Sequence, residues 1–388
     1  MTFEFTERLR ALPPYLFKEL DWVRDEVRAK GMDIIDLGVG DPDRPTPAHI
    51  IAALETAAGD QVNHKYPTYS GMNAFLDTVV RWYQRRHGVA LNGARQVCSL
   101  IGSKEGIANF PLAFVNPGDV VLVPEPGYPV YNSGTLFAGG RPYFLPLLAK
   151  NGFRPDFKAV SEDIMARAKI IWVNYPNNPT GASADLNFYG ELVEWAKKWQ
   201  IIVASDAAYS EISWSDKPHP SLLEVPGALE VAVEFHSLSK TYNMTGWRLG
   251  WAAGNETLIQ GLGLIKSNID SGVFQAVQMA GIAALEGNQA PVWAMGRLYR
   301  ERREVLAKGL EAAGLEIFPS EATFYVWVRL PAGLKSVDFA SRLMHEAGIV
   351  VIPGNGFGPS GEGYVRFALV QEVPRLREAA SRLAKLKF

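Results

Sequence analysis

Short apolar segments alternate with longer segments of helical periodicity through the first two thirds of the chain. The clearest apolar segments cover 119–123, 169–173 and 201–205, and a helical pattern over 185–199 separates the last two. Strands that are separated by helices pair in parallel, and the helices then cover both faces of the sheet. The sequence therefore predicts an α/β fold with a mostly parallel central sheet and helices on both faces, up to about Ala253.

The last part of the chain follows a different pattern. Strand-like segments at 324–328, 349–352 and 364–369 are grouped with helical segments at 337–347 and 373–386, which predicts a small α+β domain. An N-terminal helix is expected over 15–30. The predicted division is residues 1–45, which join the small domain, a large α/β domain over 46–285, and the small C-terminal domain over 286–388.

The composition favours a globular protein that acts on small molecules. The 388 residues are 47% hydrophobic and carry a net charge of −2 without a basic stripe, so nucleic acid and anionic membranes are not expected partners. Cys98 is the single cysteine, which excludes an intramolecular disulfide. Residues 1–8 have no apolar leader and no later segment suits a membrane span, so we expect a cytoplasmic location.

A polar segment between two apolar ones carries the most reactive candidate side chain. Residues 237–251 read Ser-Leu-Ser-Lys-Thr-Tyr-Asn-Met-Thr-Gly-Trp-Arg-Leu-Gly-Trp and are expected to form a turn beside packed strands. Desolvation there favours the neutral amine of Lys240 and makes it a nucleophile. Ser237, Ser239 and Arg248 together suit a phosphate group. An ordinary surface lysine is the structural alternative.

Two further segments place side chains at the start of a helix. Residues 102–107, Gly-Ser-Lys-Glu-Gly-Ile, follow a strand and open a helix, where free N–H groups and the helix dipole bind anions. Ser103 and Lys104 are therefore candidates for the same phosphate, and a serine N-cap is the alternative. Tyr128 follows a strand and a rigid turn, from which its ring can cover a flat ligand, whereas Tyr131 is expected in the core.

Polar residues also follow or interrupt apolar strands. Asp206 follows the strand at 201–205, and Asn178 lies in the stiff loop 174–181, Asn-Tyr-Pro-Asn-Asn-Pro-Thr-Gly. Open α/β sheets bind their ligands at such strand ends, although an N-cap is the alternative for Asp206. Arg366 stands inside an apolar strand, so its buried charge needs either a substrate carboxylate or a structural salt bridge.

These motifs together resemble those of one family. Ser-x-Ser-Lys (237–240) followed by Gly-x-Arg-x-Gly (246–250), with Asn-Pro-Thr-Gly (178–181) before it, is similar to the pyridoxal-phosphate aminotransferases of fold type I, class I/II. The matching motifs run from Gly38 to Arg366 in the order of the family. The resemblance implies pyridoxal 5′-phosphate held by the large domain as a Schiff base, and amino transfer between an amino acid and a 2-oxo acid, with glutamate and 2-oxoglutarate as one pair.

The resemblance also implies a role for each candidate residue. Lys240, once freed from the cofactor, moves the proton as general acid and base. Asp206 keeps the pyridine nitrogen protonated, while Asn178 and Tyr209 hold the phenolic oxygen. The further cofactor contacts implied are Ser103, Lys104, Tyr128, Ser237, Ser239 and Arg248, and the implied substrate contacts are Tyr15, Gly40, Lys104, Tyr128, Asn178 and Arg366. Gly40 and Tyr15 also have plain structural alternatives, a turn and a packing side chain.

Tyr66 is implied to act across a dimer interface. It opens the segment 66–71, Tyr-Pro-Thr-Tyr-Ser-Gly, whose first tyrosine reaches the cofactor phosphate of the neighbouring subunit in the family. Tyr69 is the competing candidate, and packing at a helix entry is the structural alternative. A homodimer is therefore expected, and no metal is.

Within the family, several segments most resemble the LL-diaminopimelate aminotransferases. These segments are 12–15, 38–42, 66–71, 102–106 and 126–131. One departure is 271–274, Ser-Gly-Val-Phe, where that group has an asparagine. Aspartate, alanine or aromatic aminotransferases and β-lyases stay open. A pyridoxal-phosphate-binding transcription regulator would need a helix-turn-helix extension and a basic face.

Overall fold

The computed structural model describes residues 3–12, 31–215, 218–386 and 388. Tyr15 and the helix predicted over 15–30 lie outside the described residues. The described helices are Glu7–Arg10 (α1), Ala48–Gly59 (α2), Asn73–His87 (α3), Gly93–Gln96 (α4), Ser103–Phe114 (α5), Pro129–Phe137 (α6), Glu162–Met165 (α7), Leu186–Trp199 (α8), Ala228–Val231 (α9), Leu238–Thr241 (α10), Glu256–Ile269 (α11), Gln275–Glu286 (α12), Ala290–Ala312 (α13), Ser336–Ala347 (α14) and Val373–Leu383 (α15).

Thirteen strands accompany these helices in the described part of the chain. They are Ile35–Asp36 (β1), Val97–Leu100 (β2), Val120–Glu125 (β3), Arg141–Pro146 (β4), Ala168–Asn174 (β5), Ile202–Asp206 (β6), Ala232–Ser237 (β7), Gly250–Gly254 (β8), Glu316–Ile317 (β9), Tyr325–Arg329 (β10), Ile349–Val350 (β11), Ile352–Pro353 (β12) and Tyr364–Ala368 (β13).

Seven strands form the central sheet in the order β2-β8-β7-β6-β5-β3-β4. The neighbours from β7 to β4 pair in parallel, which confirms the predicted fold class, and strands such as β3 and β7 are buried along their whole length. β8 is the exception, because it pairs antiparallel with both β7 and β2. Residues 238–249, which hold α10 and the 3₁₀ turn Thr245–Trp247, join β7 to β8. Parallel neighbours need a crossover of about a dozen residues or more, so this connection lies at the lower limit.

The carboxyl ends of three parallel strands meet at one edge of this sheet. Asn174 at the end of β5 pairs with Asp206 at the end of β6, and Asp206 pairs with Phe235 near the end of β7. The loops that follow β5, β6 and β7 therefore leave the sheet side by side. They are the loops that carry Asn178, Tyr209 and Lys240.

A second, antiparallel sheet has the order β12-β13-β10-β9. The strand predicted over 349–352 is wrong as a single element, because β11 pairs in parallel with β1 while β12 joins the antiparallel sheet. The change of partner occurs at Val351, and the isolated apolar run gave no sign of it. The pairing of Ile35 with Ile349 brings the N-terminal segment to the C-terminal part of the chain. The three-part division of the chain stays a prediction. No helix within the described ranges is long and apolar enough to cross a bilayer.

Candidate active site

Lys240 lies in a single helical turn, α10, that directly follows β7. The hydroxyl of Ser237 caps this turn by accepting a hydrogen bond from the Ser239 N–H at 3.2 Å. The Lys240 Nζ donates to the Gly40 carbonyl oxygen at 2.7 Å. Burial lowers the pKa of Lys240 to about 8, and the nearby Asp41 only partly opposes this effect. A substantial fraction of the amine is therefore neutral at mildly alkaline pH.

Asp206 is a buried carboxylate at the end of β6. It accepts a hydrogen bond from the Tyr131 hydroxyl at 2.7 Å and one from the Ala208 N–H at 3.2 Å. Burial raises the pKa of Asp206, although these hydrogen bonds act in the opposite direction. No ion pair to this carboxylate is found among the residues that the structure describes. The carboxylate of Asp206 is thus available to pair with a cationic group of a ligand.

The loop after β5 holds Asn178 in a fixed orientation. The Asn174 side chain donates to the Asp206 carbonyl oxygen at 2.8 Å and accepts from the Asn178 N–H at 2.9 Å. Further along, the Asn177 side chain accepts from both the N–H and the hydroxyl of Thr180. These contacts tie the loop to the end of β6, so Asn178 and Asp206 are positioned together.

Arg366 on β13 is buried, with 4% of its surface exposed. Its Nη1 donates to the Asn178 Oδ1 at 2.9 Å and its Nη2 to the Gly38 carbonyl oxygen at 2.7 Å, while its Nε has no partner among the described residues. The guanidinium lies 4.1 Å from the ring centre of Tyr325. No carboxylate pairs with Arg366 in the described part of the chain, so the predicted alternative of a structural salt bridge is not observed there.

Ser103 and Arg248 come together at the start of α5. Gly102 precedes this helix with φ +70°, and a Cβ placed on it would lie 2.8 Å from the guanidinium carbon of Arg248. Gly250 pairs with Ser237, and a Cβ on Gly250 would lie 3.1 Å from the Ser103 nitrogen. Arg248, Ser237 and the N-terminus of α5 are therefore neighbours. Such a group of donors at a helix N-terminus suits an anion.

Lys104 and Tyr66 are exposed, as is Arg248. The side chain of Lys104 makes no hydrogen bond or ion pair with any described residue. Tyr66 is 88% exposed, and Tyr69 is 50% exposed. Tyr128 is half-buried, and its ring contacts that of Tyr131 edge to face at 5.7 Å.

Three residues near the candidate site were not predicted to belong to it. Tyr131 is in the core as expected, but it also donates to Asp206. The Tyr325 hydroxyl lies 3.0 Å from that of Tyr209, and a Cβ on Gly40 would come within 2.2 Å of it. Asn174 links the loop after β5 to Asp206. An aromatic residue on the buried face of a helix, as Tyr131, or in an apolar strand, as Tyr325, has no sequence signal for such contacts, whereas Asn174 at a strand end could have been noticed.

The chain matches a known protein family over most of its length. The model of the family "Aminotransferase class I and II" matches residues 32–383. The chain belongs to this family. The predicted recognition of a class I/II aminotransferase is thereby confirmed, and so is its prediction as an enzyme.

Similar class I and II aminotransferases include curated relatives of full length. An LL-diaminopimelate aminotransferase of Syntrophobacter fumaroxidans is 56% identical over 388 residues and covers 100% of both chains. One of Aquifex aeolicus is 55% identical over 386 residues, with 100% of both chains covered.

Solved structures of the family have the same fold. Substrate-bound BacF from Bacillus subtilis has a TM-score of 0.94 at 35% identity, covering 99% of this chain and 98% of that chain. A probable N-succinyldiaminopimelate aminotransferase from Thermus thermophilus has a TM-score of 0.91 at 38% identity, covering 95% and 99%. A mutant aspartate aminotransferase from the same organism has a TM-score of 0.92 at 29% identity, covering 99% and 100%. The predicted fold type I is confirmed.

Proposed function

We propose that this chain is an LL-diaminopimelate aminotransferase of lysine biosynthesis, which exchanges an amino group between LL-diaminopimelate and the 2-oxoglutarate/glutamate pair. The observation that carries the choice of substrate is the 50–56% identity to curated proteins of that name, each matched over at least 98% of this chain. The protein is expected to act as a homodimer in the cytoplasm.

The described residues fit pyridoxal 5′-phosphate as the cofactor. Arg248 and the start of α5 offer a set of donors for a phosphate, and the absence of a Cβ at Gly102 lets the guanidinium come close to the start of the helix. Asp206, buried and without an ion-pair partner among the described residues, suits a protonated ring nitrogen. When bound, this cofactor supplies an electron sink for the negative charge that develops as the amino acid loses its α-proton.

The protein side chains would hold the cofactor from several directions. Asp206 would accept a hydrogen bond from the protonated ring nitrogen, and Asn178 and Tyr209 would bind the phenolic oxygen. Because burial raises the pKa of Tyr209 well above its ordinary value, its hydroxyl stays protonated and can donate. Phosphate contacts are proposed for Ser103, Lys104, Ser237, Ser239 and Arg248, with Tyr66 reaching over from the neighbouring subunit and Tyr128 covering the ring.

Lys240 would anchor the cofactor and then carry the proton. Its Nζ, once free, takes the proton from the substrate α-carbon, and the lowered pKa makes the neutral amine available for this step. The Gly40 carbonyl, 2.7 Å from the amine, keeps Lys240 in place between steps.

Arg366 would bind the α-carboxylate at the reacting end of the substrate. Its fork is pre-oriented by Asn178 and the Gly38 carbonyl, and an incoming carboxylate would supply the counter-charge that the described residues do not. Lys104, exposed and without a described partner, would help to attract the distal carboxylate of a substrate that is charged at both ends.

A screen of amino donors tests the proposed substrate. The purified enzyme, supplied with pyridoxal phosphate and 2-oxoglutarate, is given LL-diaminopimelate, N-succinyl-LL-diaminopimelate, aspartate, alanine or tyrosine, and glutamate formation is measured. We expect kcat/KM for LL-diaminopimelate to exceed that for each other donor by about tenfold or more, equivalent to about 1.4 kcal/mol of transition-state binding. A higher value for any of the other four donors would contradict the proposed substrate while leaving the aminotransferase family intact.

A further inference from the structure

A completely buried lysine, Lys266, lies near the candidate phosphate site, the group formed by Ser103, Ser237 and Arg248 at the start of α5. Lys266 on α11 has no exposed side-chain surface, and its Nζ contacts the Glu105 Oε2 at 2.9 Å and the Asp270 Oδ2 at 3.0 Å. Burying an ammonium group is costly unless carboxylates pair with it. The proposed reaction uses none of these three residues.

Glu105 connects this cluster to the turn that opens α5. Its Oε2 accepts a hydrogen bond from the Ile101 N–H at 3.2 Å, and its Oε1 accepts one from Asn109 at 3.0 Å. The bond from Ile101 closes the chain reversal between β2 and α5, in which Gly102 and Ser103 lie, and the bond from Asn109 holds the Glu105 carboxylate within the helix. The ammonium of Lys266 therefore fixes the carboxylate that shapes this turn.

Asp270 connects the cluster to a second segment near the phosphate. Its Oδ1 accepts from the Gly272 N–H at 2.7 Å, and the Gly272 Cα lies so close to the Thr68 carbonyl that a Cβ would be 2.8 Å from the oxygen. Thr68 belongs to the segment 66–71 that begins with Tyr66. Through Glu105 and Asp270, Lys266 thus connects the start of α5 to the segment 66–71. Tyr66 in this segment is proposed to reach the cofactor phosphate of the neighbouring subunit.

The net charge of Lys266, Glu105 and Asp270 also affects the binding of a phosphate at the start of α5. With Lys266 protonated, the three side chains carry a net charge of −1, and without it they would carry −2. The two carboxylates raise the pKa of Lys266, although burial alone lowers it, so the lysine is a cation at neutral pH. A phosphate with about two negative charges would be repelled by an uncompensated Glu105 in the first turn of the helix that binds it.

We infer that Lys266 is a positioning and charge-balancing residue for the cofactor phosphate, acting through Glu105 and Asp270 rather than by direct contact. This inference rests on the proposed binding of pyridoxal phosphate. It predicts that the contribution of Lys266 depends on the phosphate group and not on the pyridine ring.

Equilibrium binding to the cofactor-free full chain tests the inference. The Kd values of pyridoxal phosphate and of pyridoxal, which lacks the phosphate, are measured for the wild type and for Lys266→Met. The variant is expected to raise the Kd of pyridoxal phosphate by about tenfold or more and that of pyridoxal by less than about twofold. An equal effect on both compounds, or none on either, would overturn the inference.

Two matched variants accompany this measurement. Lys158→Met removes a lysine from an exposed pair with Glu191 and is expected to change neither Kd. Lys266→Gln removes the charge but keeps an N–H donor for Glu105, so it should raise the Kd of pyridoxal phosphate and hardly change that of pyridoxal, as Lys266→Met does. If Lys266→Met does not fold, Lys266→Gln takes its place, and a preference for pyridoxal phosphate equal to that of the wild type would overturn the inference.

The failure of the inference is distinguishable from the failure of the proposed function. A wild type that binds neither compound, or that binds both equally, contradicts the proposed cofactor and with it the inference. A wild type that prefers pyridoxal phosphate, with a preference that Lys266→Met leaves unchanged, contradicts the role of Lys266 alone.

Discussion

Arg366 carries a full positive charge inside the protein, yet its described hydrogen bonds go to two neutral oxygens, those of Asn178 and Gly38. A bidentate carboxylate would compensate this charge. Arg366→Ala should therefore lower kcat/KM by on the order of a hundredfold, about 3 kcal/mol, and should hardly change the Kd of the cofactor. Arg366→Lys keeps the charge without the fork and should recover only part of the activity.

Thermal unfolding of the same Arg366→Ala sample serves as the control for this prediction. A substrate-binding arginine should leave the melting temperature close to that of the wild type, or raise it, because an uncompensated buried charge is removed. A large loss of stability with normal kcat/KM would identify Arg366 as a structural residue instead.

Lys240 provides a prediction that depends on pH. With a pKa of about 8, the ammonium form predominates below that pH and the neutral amine above it. The rate of covalent capture of pyridoxal phosphate by the cofactor-free protein should rise between about pH 7 and 9 and then level off, whereas an unperturbed lysine would keep gaining up to about pH 10. The measurement is the absorbance change on mixing.

Lys240→Ala is the matched variant for the capture experiment. It should bind the cofactor weakly, because the proposed phosphate contacts remain, but it should neither capture it covalently nor turn over. Undiminished amino transfer by this variant would contradict the proposed central role of Lys240.

The sequence identified the candidate site residues better than it identified the residues that they contact. Lys240, Asp206, Asn178 and Arg366 stand in short motifs or at strand ends, so local reasoning finds them. The contacts of Tyr131 with Asp206 and of Tyr325 with Tyr209 join residues 75 and 116 positions apart. Such pairs depend on how the strands assemble. The roles assigned to all of these residues stay predictions.

At the scale of elements, the loop after β1 brings two carbonyl groups into the candidate site. Gly38 accepts from Arg366 and Gly40 from Lys240. Gly40→Ala would place a Cβ 2.2 Å from the Tyr325 hydroxyl, so the loop or the Tyr325 ring must shift. Because a displacement of about 1 Å can cost on the order of a hundredfold in rate, we expect kcat/KM to fall by about tenfold to a hundredfold.

Gly263→Ala is the matched control for this substitution. Gly263 lies within α11, and a Cβ there would meet no atom within 4 Å. Alanine should stabilise the helix by about 0.5–1 kcal/mol without changing kcat/KM. If Gly40→Ala behaved in the same way, with kcat/KM unchanged, the proposed importance of the loop position would be wrong.

Strand direction was predictable where helices separate the strands, because such strands pair in parallel. It was not predictable for β8, β11 and β12. The helices between β3 and β7 require parallel pairing, as observed. The connection through Lys240 is long enough for either direction of β8, which pairs antiparallel with β7, and the division of 349–352 into β11 and β12 depends on partners from distant parts of the chain. Apolar pattern alone contains neither fact.

For the whole molecule, the match of motif order to the aminotransferase family determined the fold more firmly than the alternation of strands and helices did. The alternation predicts a parallel sheet but not the strand order or the second sheet. The predicted domain limits at 45 and 285 still need a test, such as limited proteolysis of the folded protein. The pairing of β1 with β11 supports the proposal that residues 1–45 join the C-terminal part.

The last prediction concerns the assembly of two chains. Tyr66 is 88% exposed, and the segment 270–273, which packs against residues 66–71, is flanked by the exposed apolar residues Ile269 and Phe274. Exposed apolar groups gathered around one segment are typical of a surface that another protein covers. We expect a second copy of this chain to cover it, so that each site is completed by Tyr66 from the other copy.

Tyr66→Phe separates assembly from phosphate binding, because it removes the hydroxyl and keeps the ring. The variant should sediment as a dimer like the wild type, while its Kd for pyridoxal phosphate should rise by about tenfold to a hundredfold, as expected for one lost hydrogen bond to a charged group. Tyr69→Phe, which changes the competing tyrosine in the same way, should leave this Kd unchanged. The reverse result would assign the phosphate contact to Tyr69. A wild-type protein that sediments as a monomer at full activity would contradict the shared site, because a single chain would then hold every group that the reaction needs.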